Sequence, residues 1–451
     1  MENLELITRL LDALAKHDNE TISELVAACH FADVADALAG VENPQIALLL
    51  SLTPASDRAE LFSYLEKSVQ SEIAGEMDQK ALAELFFHMS PDERADLFNT
   101  LPESLQNRLL PTLTKAERED IRKLASYEEN TAGSIMTSDY ALVGANQTAA
   151  DAIARLRRIE PNRETIYQAY VVDSERHLLG TVSLRDLIMA EPQSLVSDFM
   201  TQDPICIRAE ASREEAAQMI AKYDLIALPV INGGDKLVGI VTYDDAMDVA
   251  TEEATTDFHK VGGVSEIVGG LKGAGISLLY RKRIFWLVLL VFGNLFSGAG
   301  IAYYEDTIAA YVALVFFLPL LIDSGGNAGS QSATLMVRAL ATGEVVMKDW
   351  AGMLGRELLV AGLLGATMAL AVSMLGVWRG GPEIALVVAM TMQITVLVGS
   401  MIGMSLPFLL SRLNMDPATA SAPLITSIAD ICGVLIYFSI ATWLLDIPAA
   451  V

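Results

Sequence analysis

The chain has 451 residues, 52% of them hydrophobic, and a formal net charge of -26. It is too long for one core, so several domains are expected, and its acidity argues against nucleic-acid binding through a basic face. The charge is uneven: residues 1–280 hold 23 Lys+Arg against 47 Asp+Glu, and residues 281–451 hold 8 against 10. An acidic soluble part therefore precedes a nearly neutral, apolar one.

The start, "MENLELITRLLDALAKHDNE", is amphipathic and acidic. It lacks the basic beginning, apolar centre and small-residue cleavage site of a secretory signal, so the soluble part is expected in the cytoplasm. Cys29, Cys206 and Cys432 are far apart and form no CxxC pair, which signals neither a zinc site nor a disulfide framework.

To about residue 130 apolar positions recur at helical spacing, and "DRAELFSYL" (57–65) returns as "ERADLFNTL" (93–101), an offset of 36. Ser90-Pro91-Asp92-Glu93 offers an N-cap, a proline at the first helical position and a capping-box acid, and Thr114 to Glu117 repeats the box. Helical hairpins stacked as a superhelical, all-α solenoid fit this pattern, and so does an ordinary helical bundle.

A clearer repeat covers about 131–250. "SIMTSDYALV" and "TAADAIARL" match "DFMTQDPICI" and "SREEAAQMI" at an offset of 64, while "LLGTVSLRDL" matches "LVGIVTYDDA" at 59. Each copy reads as strand, helix, two strands bounded by a glycine turn, then helix, an α/β unit. The copies resemble a tandem pair of CBS domains, with the signature Gly-x-x-Ser/Thr-x-x-Asp at Gly180 to Asp186 and Gly239 to Asp245. Resemblance to nucleotide-binding CBS pairs implies Tyr170, Arg185 and Asp186 as contacts for ATP, with a purely structural role as the alternative.

After a Gly-rich, mildly amphipathic connector (261–275), Arg281-Lys282-Arg283 introduces the first apolar stretch. Four more follow, at about 308–337, 353–377, 384–410 and 419–445, each long enough for about 30 Å of hydrocarbon. This predicts a five-helix transmembrane domain. Arg338, Lys348 and Arg412 join the basic cluster on one side and Arg379 falls on the other, so a cytoplasmic N-terminus and an outside C-terminus are expected.

Two features of the apolar part carry chemistry. "PLLIDSGGNAGSQSATL" (319–335) is expected to interrupt the second span, lining a water-filled path or packing tightly through Gly325, Gly326 and Gly329. Asp430, in "TSIADICGVLIYF", is a carboxylate deep in an apolar run, which costs a few kcal/mol unless it faces a cavity, a partner or an ion. Asp323 and Asp416 are read as lying nearer span ends. A lone carboxylate suits a hard ion that keeps its waters, such as Mg²⁺, and a two-fold axis would double it.

With "GNAGSQSATL", "DPATASAPLITSIADICGVLIYF", "YEENTAGSIM" and "DDAMDVATEEATTDFHK", the whole chain resembles the MgtE family of magnesium channels. The resemblance implies a homodimer in the bacterial inner membrane, with a helical Mg²⁺-sensing domain (1–130), a CBS pair (131–250), a connecting plug helix (251–280) and a pore domain (281–451). It implies Asp430, Gly326, Asn327 and Gly329 in the pore.

The acidic half then has a cause. Asp245, Asp248 and Glu252 share a helical face, Glu253 and Asp257 form an i, i+4 pair, and Asp92 and Asp96 form another, with Glu60 at the matching repeat position. Glu214, Asp224 and Asp416 complete the candidate metal-ligating set. A solvated acidic surface is one reading; regulatory Mg²⁺ bridging the domains and closing the pore is the one the family implies. Thr256 stands where many members have another acid. An ion-coupled transporter of Mg²⁺, Mn²⁺ or Co²⁺ is the alternative, although no inverted repeat or titrating relay is visible. An enzyme is not indicated, because the five histidines are scattered and lack a nucleophile.

Overall fold

The computed structural model describes residues 2–158, 165–265 and 275–445. It divides into two compact units, one reaching Glu253 and the other beginning at Ala254. Residues 266–274, within the expected plug, lie outside the described residues.

The first unit opens with ten short α-helices, from Glu2–Lys16 to Lys115–Leu124. Most pack on the helix two places on, for instance Ala55–Ser63 on Gln79–His88 and Lys67–Glu76 on Pro91–Thr100. The interior is a continuous apolar seam including Leu49, Phe62, Phe86 and Leu97. The 36-residue repeat survives in atomic detail: Gln70 Nε2 donates to the carbonyls of Phe62 and Leu65, and Gln106 Nε2 does the same to Phe98 and Leu101. Each clamp satisfies carbonyls that a helix end leaves without partners.

Thr114 and Glu117 form the expected capping box. Ser90 does not: it stands at the N-cap position, but its side chain makes no cap bond.

In the CBS region, Tyr140–Val143 pairs in parallel with Thr165–Val172, which pairs antiparallel with Leu178–Ser183. The second copy repeats this with Ile207–Arg208, Ala227–Ile231 and Leu237–Thr242. Two details differ from the sequence reading. The turns between the hairpin strands use Arg176 and Asp235 as their left-handed residues, at φ 71° and 55°, not glycine. The copies are also not self-contained: Thr201 pairs with Thr181 of the first copy, and Thr137 bridges to Ile240 of the second. Gly180 and Gly239 permit this exchange, since a Cβ on them would lie 2.7 Å from the Thr201 carbonyl oxygen and 2.9 Å from that of Thr137.

Among the described residues, the second unit holds four helices long and apolar enough to cross a membrane: Ile276–Tyr303, Ala313–Ala341, Met347–Arg412 and Ala422–Leu444. The third has non-helical backbone at Gly381, φ 82°, immediately before Pro382. Its halves fold back on each other there, Gly376 lying against Ala385 and Gly365 against Gln393. Among the described residues the second apolar helix is unbroken, with Pro319 inside it. This corrects the expected interruption. The small residues open close-contact notches rather than ending the helix, and the backbone groups stay bonded within it.

Candidate ion path and acidic sensor

Glycine sets the distances in the second unit. A Cβ on Gly399 or Gly403 would fall 2.1 or 1.9 Å from the carbonyl oxygens of Gly325 and Gly329. The second apolar helix therefore touches the C-terminal half of Trp350–Arg412 backbone to backbone. Its adjacent edge meets the last helix, where Gly326 receives Thr426 and Ser330 Oγ lies 3.4 Å from Thr426 Oγ1. Gly326 and Gly329 are thus buried helix-contact residues, whereas Asn327 between them is exposed.

Asp430 lies one turn beyond Thr426, half-buried, and Gly433 follows, where an added Cβ would lie 3.7 Å from the Cα of Ile322. The two helices run antiparallel in this register. It places Asp430 level with residues 322–326. Asp323, read from sequence as nearer a span end, lies well inside Ala313–Ala341 and is a charged neighbour of Asp430. Asp416 sits outside the last helix. It caps the turn Pro417–Thr419 by accepting from the Ala418 amide and is ion-paired with Lys260.

The acids of the first unit separate into two kinds. Asp92 and Glu93, in the first turn of Pro91–Thr100, are held against the CBS region, where Thr137 reaches Asp92. Asp92 Oδ1 is buried without a hydrogen-bond partner. Burial raises the carboxyl of Asp92, with Asp96 adding to it, and pushes Glu93 up to about 7, with Asp92 adding. Burial also raises Asp248, helped by Asp244 and Glu252. Tyr64 lies within the field of Glu60, Glu93, Asp244 and Asp248, and so marks where the acids of the helical domain and of Tyr243–Val261 approach each other. Their charges repel, and an unpartnered buried carboxylate oxygen is the kind of group a cation satisfies.

The remaining candidates are engaged locally. Glu252 and Glu253 both pair with Arg213 at 2.9 Å, Asp245 accepts from Thr242 at 2.6 Å, and Asp96 pairs with Lys67 at 2.9 Å. Glu214 accepts from Gln218, Asp224 is the left-handed C-cap of Arg213–Tyr223, and Asp257 follows in the second unit on the same helix as Glu253. Among the described residues no three His, Cys, Asp or Glu side chains converge as a metal site. Sequence reasoning passed over Glu93 and Asp244. The first was absorbed into a capping box, and the second is an unspecified position inside the signature that ends at Asp245.

The nucleotide contacts divide as well. Arg185 and Asp186 are exposed, with Asp186 in a capping box with Ser183. Tyr170 is fully buried among Tyr140, Ala227, Leu237 and Ile240, with its hydroxyl lacking a hydrogen-bond partner.

Family models match three stretches: an MgtE intracellular N domain at 29–130, CBS domains at 132–192 and 196–252, and an MgtE divalent cation transporter domain at 318–440. The chain is 36% identical to the magnesium transporter MgtE of Thermus thermophilus, covering 98% of this chain and 99% of that one. It is 33% identical to MgtE of Bacillus subtilis, covering 88% and 90%. The solved cytosolic domain of the Mg²⁺ channel MgtE in complex with ATP is similar over 54% of this chain and 99% of its own, at 34% identity and a TM-score of 0.52. The chain is a multi-pass membrane protein that transports Mg²⁺, and it belongs to the MgtE family.

Proposed function

We propose that this transporter is a homodimeric Mg²⁺ channel of the bacterial inner membrane, closed from inside by the ion it conducts. The fold-back at Gly381 supports five spans, because it makes two antiparallel helices of Trp350–Arg412. With five spans and the basic cluster Arg281-Lys282-Arg283 inside, the N-terminus is cytoplasmic and the C-terminus outside. The domain limits read from sequence, 1–130, 131–250, 251–280 and 281–451, serve this arrangement, and the next-but-one packing of the N-terminal helices suits a superhelix.

The observation that carries the conduction step is Asp430, held at mid-helix depth in an otherwise apolar segment. Its carboxylate attracts a divalent cation whose water shell stays on, and copies from two protomers would face one ion. Asn327, exposed at the same level, supplies a hydrogen-bonding group for that shell. Mg²⁺ here is cargo.

Gating is assigned to the acids around Tyr64. At low cytoplasmic Mg²⁺, repulsion between Asp92 and Glu93 on one side and Asp244 and Asp248 on the other loosens the contact. At high Mg²⁺ an ion bound there favours the compact, closed form, in proportion to its preference for that form. Glu60, Asp96, Asp245, Glu252, Glu253, Asp257, Glu214 and Asp224 extend the acidic surface, and ATP is taken up at the CBS pair through Arg185 and Asp186. Patch recording tests the gate: Asp92→Asn with Asp248→Asn should conduct but resist closure by internal Mg²⁺. Closure at the wild-type concentration would refute the assignment.

A further inference from the structure

Asp323, Asn327 and Gln331 are spaced i, i+4 and i+8 in Ala313–Ala341, so they lie along one line of the helix. All three are exposed, while Ser324, Gly325, Gly326, Ala328 and Gly329 beside them are buried. The polar line is thus the side that the described helices of the second unit leave uncovered. Facing lipid, a carboxylate and two carboxamides would each cost a few kcal/mol. A dry contact with a second copy would need a cation. This chain has no Lys or Arg between Arg283 and Arg338 and none after Arg412, and within Trp350–Arg412 Arg379 lies over Phe316 and Arg356 adjoins Glu357, which bonds Ser332, each about two helical turns from Asp323, so neither copy brings a cation to its level.

The register with the last helix supplies the second constraint. Thr426 packs on Gly326 and Gly433 on Ile322, which brackets Asp430 at the level of Asp323.

We infer that Asp323 is a second carboxylate in the wall of the Mg²⁺ path, and that with Asp430 it sets how tightly the hydrated ion is held during passage. This rests on the reading of Asp430 as a residue of that path. Each protomer then offers two negative charges at one depth, followed along the path by Asn327 and Gln331, whose amides hydrogen-bond the ion's water shell. The pair favours divalent over monovalent cations because the attraction energy between the two carboxylates and an ion scales with the ion's charge.

The test uses the full chain in liposomes, with Mg²⁺ as the probe. For Asp323→Asn, the Mg²⁺ concentration at half-maximal influx should rise by about tenfold, the scale expected when a Mg²⁺ site loses one carboxylate. Asp323→Cys, with Cys29→Ser, Cys206→Ser and Cys432→Ser, should react with a membrane-impermeant thiol reagent and be protected by Mg²⁺. Unchanged half-saturation in the first variant, or no labelling of the second in protein that elutes as wild type, overturns the inference. Asp430→Asn run in parallel separates the two claims. Wild-type influx there removes the path itself, whereas lost influx there with unaltered Asp323 variants removes only the role of Asp323.

Discussion

Thr426 of the last helix fills the notch at Gly326, where an added Cβ would lie 2.9 Å from Thr426 Cγ2. This contact fixes the register that brings Asp430 level with the second apolar helix, so the depth of the acid depends on a residue one turn away. Gly326→Val should reduce Mg²⁺ influx strongly and destabilise the protein by about 1–3 kcal/mol, the usual cost of overpacking. Gly355→Ala, at a glycine with open space around it, should leave both unchanged. Thermal midpoints and influx in liposomes check the pair.

Asp92 holds a buried oxygen without a partner beside Glu93. Asp92→Asn removes a carboxylate from the place where the ion is proposed to bind and should weaken the response to Mg²⁺. Protection of residues 91–98 from amide hydrogen exchange should gain less on addition of Mg²⁺ than in wild type. Equal Mg²⁺-induced protection in variant and wild type would contradict this.

Glu93 gives the contact a pH dependence. Its carboxyl is pushed up to about 7 from an ordinary 4.5, chiefly by burial. Between those values the packed form holds a proton that the unfolded chain does not. The stability this contributes is complete below the unfolded value and is lost as pH rises through about 7. Without Mg²⁺, the first unit should lose about 1–3 kcal/mol between about pH 5 and about pH 8. Excess Mg²⁺ should reduce that loss, because the ion binds the deprotonated acids. Thermal melts across pH, with and without the ion, decide it.

Much of this was legible in the sequence, and the failures have physical causes. The 36-residue repeat predicted paired helices and reappears as the Gln70 and Gln106 clamps. The CBS repeat predicted both sheets, but not that Thr137 and Thr201 pair in each other's copy, because strand exchange leaves local patterning unchanged. Asp430 stood out because it is alone in an apolar run. Asp323 did not, because it reads in sequence as lying nearer a span end, and its depth is set by a helix that runs unbroken from Ala313 to Ala341. The burial of Tyr170 was not visible in sequence, because it depends on Leu237 and Ile240, more than sixty residues on.

Lys260 and Asp416 are ion-paired within the second unit, tying the end of Tyr243–Val261 to the turn before the last helix. Val261 packs beside them with Ala418 and Ile425. Lys260→Met should raise open probability at a given internal Mg²⁺ by about two- to fivefold, the scale of a partly exposed ion pair. A charge reversal, Lys260→Asp with Asp416→Lys, should restore part of it. An unchanged Mg²⁺ dose response in the single variant would show that the tie does not bias the gate.

The most direct test is Mg²⁺ influx into liposomes containing wild type or Asp430→Asn, matched for folded protein and measured against a monovalent background. Asp430→Asn should lose Mg²⁺-selective influx while its soluble domains still respond to Mg²⁺ in hydrogen exchange. Wild-type influx and selectivity in Asp430→Asn would contradict it.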